Sequence, residues 1–581
     1  MAYIPSDSED DNLGDSDDEF VVQNSRDSSS SDSDDSISSS ESDEDNQPVD
    51  HVATATNVRG KPTYKWTKLN NNDEELPLPP FVAEETEESE IGRPIHYYQQ
   101  FFSNELLYLI VEQSNLYAIQ NDVNKPLNLT RSELEIFIGT VIYMSIFHLP
   151  RHRLYWKSAC RVAQVADCMS RKRWEDIKKN LHFNNNDDLP TDRNDPNRDK
   201  LFKLRPIIDA LTEKFKNQVK PQMLCVDEQI VPYKGRSALK QYNPKKPNKW
   251  GYKIFVLCDS SGLVHNFEIY TGKILPTPGK EDIGASGNIV LRLASVIPQH
   301  KNYLLFFDNW FTSVKLLTSL QEDGIYSLGT VRCNRLPGLQ FSSDNVLKKK
   351  GRGTYEEYKT TVNSVDIHTL KWFDNKSVCL LSTFCGSQPV DIVERFDRKG
   401  KRRVEVTRPN MIKLYNNFMG GVDLLDGLIS YYRISLRSRK WYLKLFFHLI
   451  DLALVSAWLK YKTDMQKSNM DKKDILDSLG FRAEVAEALC RVGKDENTRK
   501  RGRPSGSTEK NYEEKKRRGA TKPIPQFDVR TDKVAHFPSY NKERQRCKRP
   551  LCGLKTYFYC VKCKVHLCIT KTRNCFAEFH I

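Results

Sequence analysis

The strongest constraint on the fold of this chain is a fully apolar run that ends in an acid, Tyr303-Leu304-Leu305-Phe306-Phe307-Asp308. A strand with no polar alternation must be covered on both faces, so it belongs in the interior of a sheet with helices on each side. Three β-rich runs precede it, at 223–231, 251–258 and 264–270, followed by a helical run at about 288–296. The order strand, strand, strand, helix, strand predicts an α/β layer.

This order of elements matches the RNase H-like fold, and the flanking segments predict further domains. Helical periodicity predicts a mostly helical N-terminal domain at 93–218, with the first part of the core at 219–324. Strand patterns predict a β-rich insertion domain at 325–410, and helical spacing returns in closing helices at 411–493. Composition predicts a disordered acidic tail at residues 1–92, a basic linker at 494–545 and a small cysteine-rich module at 546–581.

Charge is distributed unevenly along the 581 residues. Residues 1–50 hold 17 acidic side chains and one basic side chain, so they carry −16 and the rest carries +29 within a total of +13. A basic body favours a polyanionic partner such as nucleic acid, with the tail either competing for that surface or only improving solubility. The N-terminus has no signal-peptide pattern, and the apolar run at 443–459 contains Lys444, His448 and Asp451 and is too short and too polar to span a bilayer. We therefore expect a soluble intracellular protein with no membrane partner.

Acidic residues occupy unusual positions in the predicted core. Asp227 interrupts an apolar strand, Asp308 ends another, and Asp423 and Asp426 lie one turn apart at the start of a predicted helix. Buried carboxylates are costly unless they are paired or bind a metal. Two strand-end carboxylates and a third from a helix predict a site for two Mg²⁺ ions, or Mn²⁺, suited to phosphodiester cleavage. Any one of these acids, taken alone, is better explained as a helix cap or an ion-pair partner.

Six of the 14 cysteines lie in the last 35 residues, in the pattern Cys547-x4-Cys552-x7-Cys560-x2-Cys563-x4-Cys568-x6-Cys575-x4-His580. Paired thiolates in a segment too short for a hydrophobic core predict structural Zn²⁺. Two zinc ions in a cross-brace need eight ligands, and the pattern supplies seven. His566 is the candidate eighth ligand, unless it is simply packed in the module. A disulfide cluster is the alternative, and the lack of a secretion signal disfavours it.

The motifs around the acids resemble those of piggyBac-family DDD transposases. Three blocks carry the resemblance, and it runs in order from about Phe101 to the C-terminus. The blocks are Val226-Asp227-Glu228-Gln229 with Tyr242-Asn243-Pro244-Lys245-Lys246-Pro247 and Trp250-Gly251-Tyr252-Lys253; Asp308-Asn309-Trp310-Phe311-Thr312-Ser313; and Tyr415-Asn416-Asn417-Phe418-Met419-Gly420-Gly421-Val422-Asp423 with Asp426.

The resemblance implies a DNA transposase with Asp227, Asp308 and Asp423 as its catalytic, metal-binding triad and Asp426 as an acidic neighbour. It also implies nicking at transposon inverted-repeat ends, hairpin intermediates and strand transfer into TTAA sites of double-stranded DNA. A homodimer is implied, with the helical segments at 93–218 and 411–493 serving dimerisation and DNA binding. The cysteine-rich module would recognise the end sequence.

Several basic and aromatic residues are candidates for DNA contacts. Trp441 resembles a family tryptophan near the hairpinned end, where its ring can stack on an unpaired base. Arg332 and Arg335 resemble a basic pair beside the active site, with Arg at the second position where the insect namesake has Lys. Lys245 and Lys246 lie in a loop that suits phosphate contacts. A packed tryptophan, exposed strand-end arginines and a solvated loop are the simpler interpretations.

The basic linker contains a second type of DNA-binding candidate. Arg501 and Arg503 belong to an Arg-Gly-Arg-Pro core that resembles an AT-hook, which places guanidinium groups in the minor groove. Together with the basic run at 515–518, this core also predicts a bipartite signal for localisation to the nucleus. A flexible basic linker is the alternative.

Two other functions stay open on the sequence alone. A domesticated, transposase-derived DNA-binding protein would keep the fold without transposition activity. A metal-dependent nuclease without strand transfer would share the acids but would not account for Trp441.

Overall fold

The computed structural model describes residues 63–69, 76–83, 91–190, 192, 195, 198–244, 246, 248–398, 400–492 and 524–581. Within these ranges, a mixed ten-stranded sheet has helices on both faces. The prediction of an α/β sheet with additional helices is confirmed.

Two parallel pairings form the centre of this sheet. Its strands are β1 (Thr67–Lys68), β2 (Met223–Pro232), β3 (Gln241–Tyr242), β4 (Trp250–Asp259), β5 (Val264–Ile269), β6 (Leu304–Phe307), β7 (Tyr326–Thr330), β8 (Tyr355–Val362), β9 (Val365–Phe373) and β10 (Ser377–Ser382). Their order is β1-β8-β9-β10-β7-β6-β2-β4-β3, and β5 also pairs with β4. β6 is parallel to β2 and β7, and the other recorded pairings in the described sheet are antiparallel.

The apolar strand β6 lies in the sheet interior, as its composition predicts. Leu304 and Phe306 pack in the core on one face, and Leu305 and Phe307 pack in the core on the other. All four side chains are fully buried. Alternate residues of a strand point to opposite faces, so a strand covered twice needs no polar position.

Most of the helices pack on one face of the sheet. That layer contains α1 (Pro94–Gln99), α2 (Asn104–Asn121), α3 (Arg131–Phe147), α4 (Ala163–Ala166), α5 (Arg171–Asn180), α6 (Arg205–Lys216), α10 (Asn410–Phe418), α11 (Gly421–Tyr431), α12 (Trp441–Lys467) and α13 (Ser478–Arg491). Sequence-encoded caps set several boundaries: Thr130 and Glu133, for example, form a capping box at the start of α3. The opposite face is covered by α7 (Ala285–Ala294) and α8 (Val314–Glu322), and the short α9 (Asp344–Lys350) precedes β8.

Helix α12 runs through the larger core. It is 27 residues long and, by length and composition, is apolar enough to cross a bilayer, but 89% of its most apolar window is buried inside the protein. Packing therefore accounts for its composition. The apolar run at 443–459 is predicted to be too short to span a membrane. The helix that contains it is longer, because it extends beyond the run at both ends.

Two predicted segment boundaries differ from the structure. Within the predicted insertion at 325–410, strands β7–β10 continue the central sheet, and β11 (Asp391–Asp397) with β12 (Arg402–Arg408) forms a separate two-stranded sheet. Within the predicted disordered tail at 1–92, Thr67 pairs with Lys359, and the Trp66 indole nitrogen donates to the Pro337 carbonyl at 3.2 Å. The described residues 63–69 are therefore part of the fold; most of the predicted tail lies outside the described residues.

The C-terminal module has its own small core. It contains α14 (Phe527–Thr531), β13 (Pro538–Arg546), β14 (Lys555–Cys560) and α15 (Cys575–Phe579), with β13 antiparallel to β14. Its buried side chains are mainly cysteines, joined by Val565, Leu567 and Phe579. So few apolar residues cannot stabilise a domain of this size without cross-links or metal.

Candidate active site and metal centres

Strand pairing brings Asp227 and Asp308 together. Strands β2 and β6 are parallel, with Val226 opposite Phe307, so the residues that follow, Asp227 and Asp308, are also neighbours. β6 ends at Phe307, whereas β2 continues to Pro232. The edge of β2 beside Asp308 is therefore not paired to β6, which leaves room for side chains and for a ligand.

Glu228 joins these two aspartates. One carboxylate oxygen from each of Asp227, Glu228 and Asp308 lies within 4.8 Å of the other two. The Glu228 Oε2 atom is buried and has no hydrogen-bond partner among the described residues. Sequence analysis missed Glu228 as a site residue. Its place directly after Asp227 in the first motif is the signal that could have identified it.

Burial and mutual repulsion raise the pKa values of two of these carboxyl groups. Burial, followed by the charges of Glu228 and Asp308, raises the pKa of Asp227 well above its usual range. Burial and Glu228 also raise the pKa of Asp308 to about 6, although the Trp310 amide donates to its Oδ1 at 2.8 Å. Three close carboxylates, one with a buried oxygen that accepts no hydrogen bond from the described residues, fit a hard divalent cation. Such a cation would offset the negative charge buried there.

The third predicted triad member lies outside this group. Asp423 is in the first turn of α11, its side chain is 73% exposed, and its Oδ1 lies 4.0 Å from the Lys246 ammonium. Burial alone would lower the pKa of Lys246, but Asp227, Glu228 and the two acids of α11 raise it. Lys246 therefore lies in the field of both sets of carboxylates.

Asp426 lies deeper, in a hydrogen-bonded chain. The Gln229 side-chain amide nitrogen donates to Asp426 Oδ1 at 2.8 Å, and the Gln229 side-chain oxygen Oε1 lies 2.7 Å from His448 Nε2. Because the Gln229 oxygen can only accept, His448 donates from Nε2. Burial raises the pKa of Asp426 and lowers that of His448 well below its usual value. This chain connects β2, α11 and α12 beneath the carboxylates.

The first residue of α11 must be glycine for this helix to approach the sheet so closely. A Cβ on Gly421 would lie 2.1 Å from the Asp259 carbonyl oxygen and 2.8 Å from Cys225 Sγ. Cys225 and Cys258 occupy opposite positions on β2 and β4, with their sulfurs 3.5 Å apart. Gly421 thus sets the distance between the acids of α11 and those of the sheet.

The structure gives the predicted DNA contacts different environments. Arg332 is exposed, whereas the Arg335 guanidinium donates to the carbonyls of Asn309 at 2.6 Å and Trp310 at 3.2 Å, within the loop after Asp308. The segment between them is joined to β10 by a Cys333–Cys379 disulfide. Trp441 begins α12 and is partly exposed. Lys245, Arg501 and Arg503 lie outside the described residues.

Two sets of possible metal ligands occur in the C-terminal module. One contains Cys547, Cys552, Cys568 and Cys575, and the other contains His536, Cys560, Cys563 and His580; within each set the donor atoms lie within 4.8 Å of one another. The Cys552 and Cys568 sulfurs are 3.7 Å apart, close to the roughly 3.8 Å between thiolates bound about 2.3 Å from a tetrahedral zinc. The sets interleave along the chain, as a cross-brace requires.

The structure places His536, and not the predicted eighth ligand His566, with the cysteines of the second possible ligand set. His566 forms a β-bridge with Tyr559, and its ring lies against the Tyr559 ring. His536 Nδ1 lies 3.5 Å from the sulfurs of both Cys560 and Cys563. Sequence analysis missed His536 because it precedes the cysteine pattern, in the segment assigned to the basic linker.

Both histidines of the second set have partners for their other ring nitrogen. His536 Nε2 lies 2.9 Å from Asp532 Oδ1, and His580 Nδ1 lies 2.7 Å from the Phe576 carbonyl oxygen. These contacts leave His536 Nδ1 and His580 Nε2 directed at the cysteines. Such partners fix the tautomer of a metal-binding histidine.

Comparison with known proteins places this arrangement in a class. A family model described as transposase IS4 matches residues 93–458. The human "PiggyBac transposable element-derived protein 3" is 33% identical over 492 residues, which cover 84% of this chain and 76% of that protein. The human "PiggyBac transposable element-derived protein 2" is 29% identical over 495 residues, again 84% of this chain and 76% of that protein.

The fold is also similar to a solved structure, the cryo-EM structure of a piggyBac transposase synaptic complex with hairpin DNA. The TM-score is 0.57 at 23% identity, covering 71% of this chain and 84% of that chain. The sheet, its carboxylates and the matched family model define a transposase-class protein. Within that class, the chain belongs to the piggyBac family.

Proposed function

We propose that this protein is a metal-dependent DNA transposase with an RNase H-like catalytic core. The observation that carries the proposal is the group of three carboxylates at the end of β6, whose charge and orphaned oxygen suit a divalent cation. The strand order β5-β4-β2-β6-β7, with β4 antiparallel to β2, supports the RNase H-like assignment. The fold similarity to a transposase solved with hairpin DNA supports DNA as the substrate.

The residues have distinct roles in this proposal. Asp227, Glu228 and Asp308 would hold Mg²⁺ or Mn²⁺, and Asp423 would complete a second cation site when DNA is bound. Bound cations supply activation of an attacking oxygen and stabilisation of a leaving oxygen. Arg335 holds the loop after Asp308 through its backbone carbonyls. Asp426, Gln229 and His448 fix the position of α11 relative to β2.

The proposed reaction is cut-and-paste transposition: nicking at inverted-repeat ends, hairpin formation and strand transfer into TTAA sites. We further propose a homodimer that acts in the nucleus, with Arg332, Trp441 and Lys246 contacting DNA. Two structural Zn²⁺ ions would occupy the two ligand sets of the C-terminal module, which would bind the end sequence. The +29 charge of the chain after residue 50 supports a polyanionic substrate.

A second candidate is a transposase-derived DNA-binding protein without transposition activity. It is favoured by the position of Asp423, which is exposed and lies beside Lys246 rather than in the carboxylate group. The printed names of the two human relatives also describe them as derived from transposable elements.

The two candidates differ in whether bound DNA is cut. The test substrate is DNA that carries inverted repeats flanked by TTAA, taken from the sequence around the gene. The chain is incubated with this DNA and Mg²⁺, beside Asp308→Asn and the matched control Asp366→Asn, whose carboxylate pairs with Lys359 on the surface. We expect end-specific nicks in the wild type and the control and a loss of at least 100-fold in Asp308→Asn.

Each other outcome has a definite meaning. Specific binding without nicks would support the DNA-binding candidate. Nicks that persist in Asp308→Asn would refute the assigned site. Nicks without joining to a TTAA target would indicate a nuclease.

A further inference from the structure

A cleft with aromatic walls adjoins the carboxylate group. Its volume is about 210 Å³, and four aromatic rings line it, those of Tyr242, Phe255, Tyr270 and Trp310. This volume is below the roughly 300 Å³ at which pockets for drug-sized ligands begin, so it suits a single flat ring system. Phe255 and Trp310 are stacked, with ring centroids 5.6 Å apart and planes 15° from parallel.

Two residues that line the cleft are also neighbours of the carboxylate residues. Trp310 donates its backbone amide to Asp308, and Phe255 lies opposite Glu228 in the pairing of β2 with β4. The Lys253 ammonium, 4.6 Å from the Trp310 ring centroid, also lowers the pKa of Asp308 through its charge. A ligand in the cleft would therefore lie next to any strand held at the carboxylates.

The rim of the cleft combines exposed rings with basic side chains. Tyr242 is 52% exposed and Trp250 47% exposed, with their centroids 4.6 Å apart. The Lys240 ammonium lies 4.7 Å from the Trp250 centroid. Aromatic rings interleaved with lysines are typical of surfaces that bind unpaired nucleic acid, because every base has a face that can stack.

We propose that this cleft binds one unpaired nucleobase of the DNA strand held at the carboxylate group. Tyr242 stacks on the base, Lys253 donates to an acceptor on the base edge, and the rim lysine Lys240 contacts the adjacent phosphate. The proposal rests on DNA as the substrate of the proposed function. The site is separate from Trp441, which packs against the core on the other face of the sheet.

The test measures binding of an unpaired base without DNA cutting. Full-length protein is titrated, with Ca²⁺ in place of Mg²⁺, into a duplex that has a single-stranded overhang and into the blunt duplex of the same sequence. The overhang carries 2-aminopurine, whose fluorescence falls when it stacks on an aromatic ring. The variants are Tyr242→Ala and Tyr242→Phe, and the control is Tyr108→Ala, an exposed tyrosine of α2 that does not line the cleft.

We expect the wild type to prefer the overhang duplex and to quench 2-aminopurine. Loss of one stacked base should reduce this preference about 5- to 150-fold in Tyr242→Ala. Tyr242→Phe keeps the ring and should restore both readouts, and Tyr108→Ala should match the wild type. Thermal unfolding of each variant checks that the half-exposed Tyr242 can be replaced without unfolding the chain.

An unchanged overhang preference and unchanged quenching in Tyr242→Ala would overturn the proposal. So would full competition by free deoxyadenosine monophosphate, because the ligand would then be a nucleotide rather than a DNA strand. Because the readout is binding, a chain that never cuts DNA can still satisfy this test. Failure to bind either duplex would instead count against the proposed function.

Discussion

Replacement of Gly421 by alanine should separate helix α11 from the sheet and disable the candidate active site. The added Cβ would lie 2.1 Å from the Asp259 carbonyl oxygen, where ordinary contact begins at 3.4 Å, so helix and strand must move apart by about 1.3 Å. The neighbours cannot yield easily, because they are a backbone carbonyl and the buried sulfurs of Cys225 and Cys258.

The magnitude follows from overpacking. Inserting a methyl group into a close-packed contact costs about 1–3 kcal/mol. Removing a glycine from a helix returns up to about 1 kcal/mol. The net loss of up to about 2 kcal/mol should lower the unfolding midpoint by only about 1–2 °C, because the unfolding entropy of a chain of 581 residues is about 1 kcal/mol/K. Because α11 carries Asp423 and Asp426, a displacement of about 1 Å should also reduce DNA nicking by on the order of 100-fold.

The assay pairs thermal unfolding with the nicking reaction, and Gly427→Ala is the matched control. Gly427 lies in the same helix, and a Cβ there would meet nothing within 4 Å. This variant should gain about 0.5–1 kcal/mol and keep wild-type nicking. If Gly421→Ala were as stable and as active as Gly427→Ala, the close approach would not position α11, and the reasoning would be wrong.

Three further predictions concern other parts of the protein. His536→Ala should halve the zinc content of the purified chain, measured by mass spectrometry, whereas His566→Ala should leave it unchanged; the reverse would restore the original ligand assignment. Asp451→Ala leaves the buried Arg482 guanidinium without its carboxylate and should lower the free energy of unfolding, measured in urea, by about 3–5 kcal/mol. A loss as small as that of a surface ion pair would contradict this prediction. Burial lowers the pKa of His182 to about 4, so the folded protein keeps its full stability above pH 6.5 and loses about 3 kcal/mol of it as the pH falls toward 4. His182→Asn should flatten this dependence of unfolding free energy on pH. Parallel stability curves for the wild type and the variant would contradict the prediction.

Local patterns in the sequence were sufficient for the centre of the sheet. The apolar run at 303–308 predicts an interior strand, and β6 lies between β2 and β7 with both faces covered. Parallel pairing then places Asp227 beside Asp308, because both follow the last paired residues of their strands. These inferences depend only on alternation and register, which short segments encode.

Other features depend on contacts between distant residues, and no local pattern encodes them. Strands β8–β10 have the same alternation whether they form a separate domain or extend the central sheet, and only the pairing of β10 with β7 decides this. Glu228 is an ordinary alternating position of β2 until β6 is seen to end at Phe307. His536 lies 11 residues before the first cysteine, beyond the spacing that identifies a ligand pair. Arg335 has the charge of a DNA contact, yet it donates to backbone carbonyls of the loop after Asp308.

The charge balance at the site explains why a divalent cation would suit it although Asp423 lies apart. Lys246 is the basic residue whose charge reaches both the strand acids and the acids of α11, and it can offset only one negative charge. Lys253 acts on Asp308 and Arg433 on Asp426, while burial and repulsion still raise the pKa values of Asp227 and Asp308. A divalent cation bound there would compensate the charge of the strand acids and release Lys246 from them, toward Asp423 or a DNA phosphate. Cation binding would therefore be coupled to the freedom of Lys246, which lies between β2 and α11.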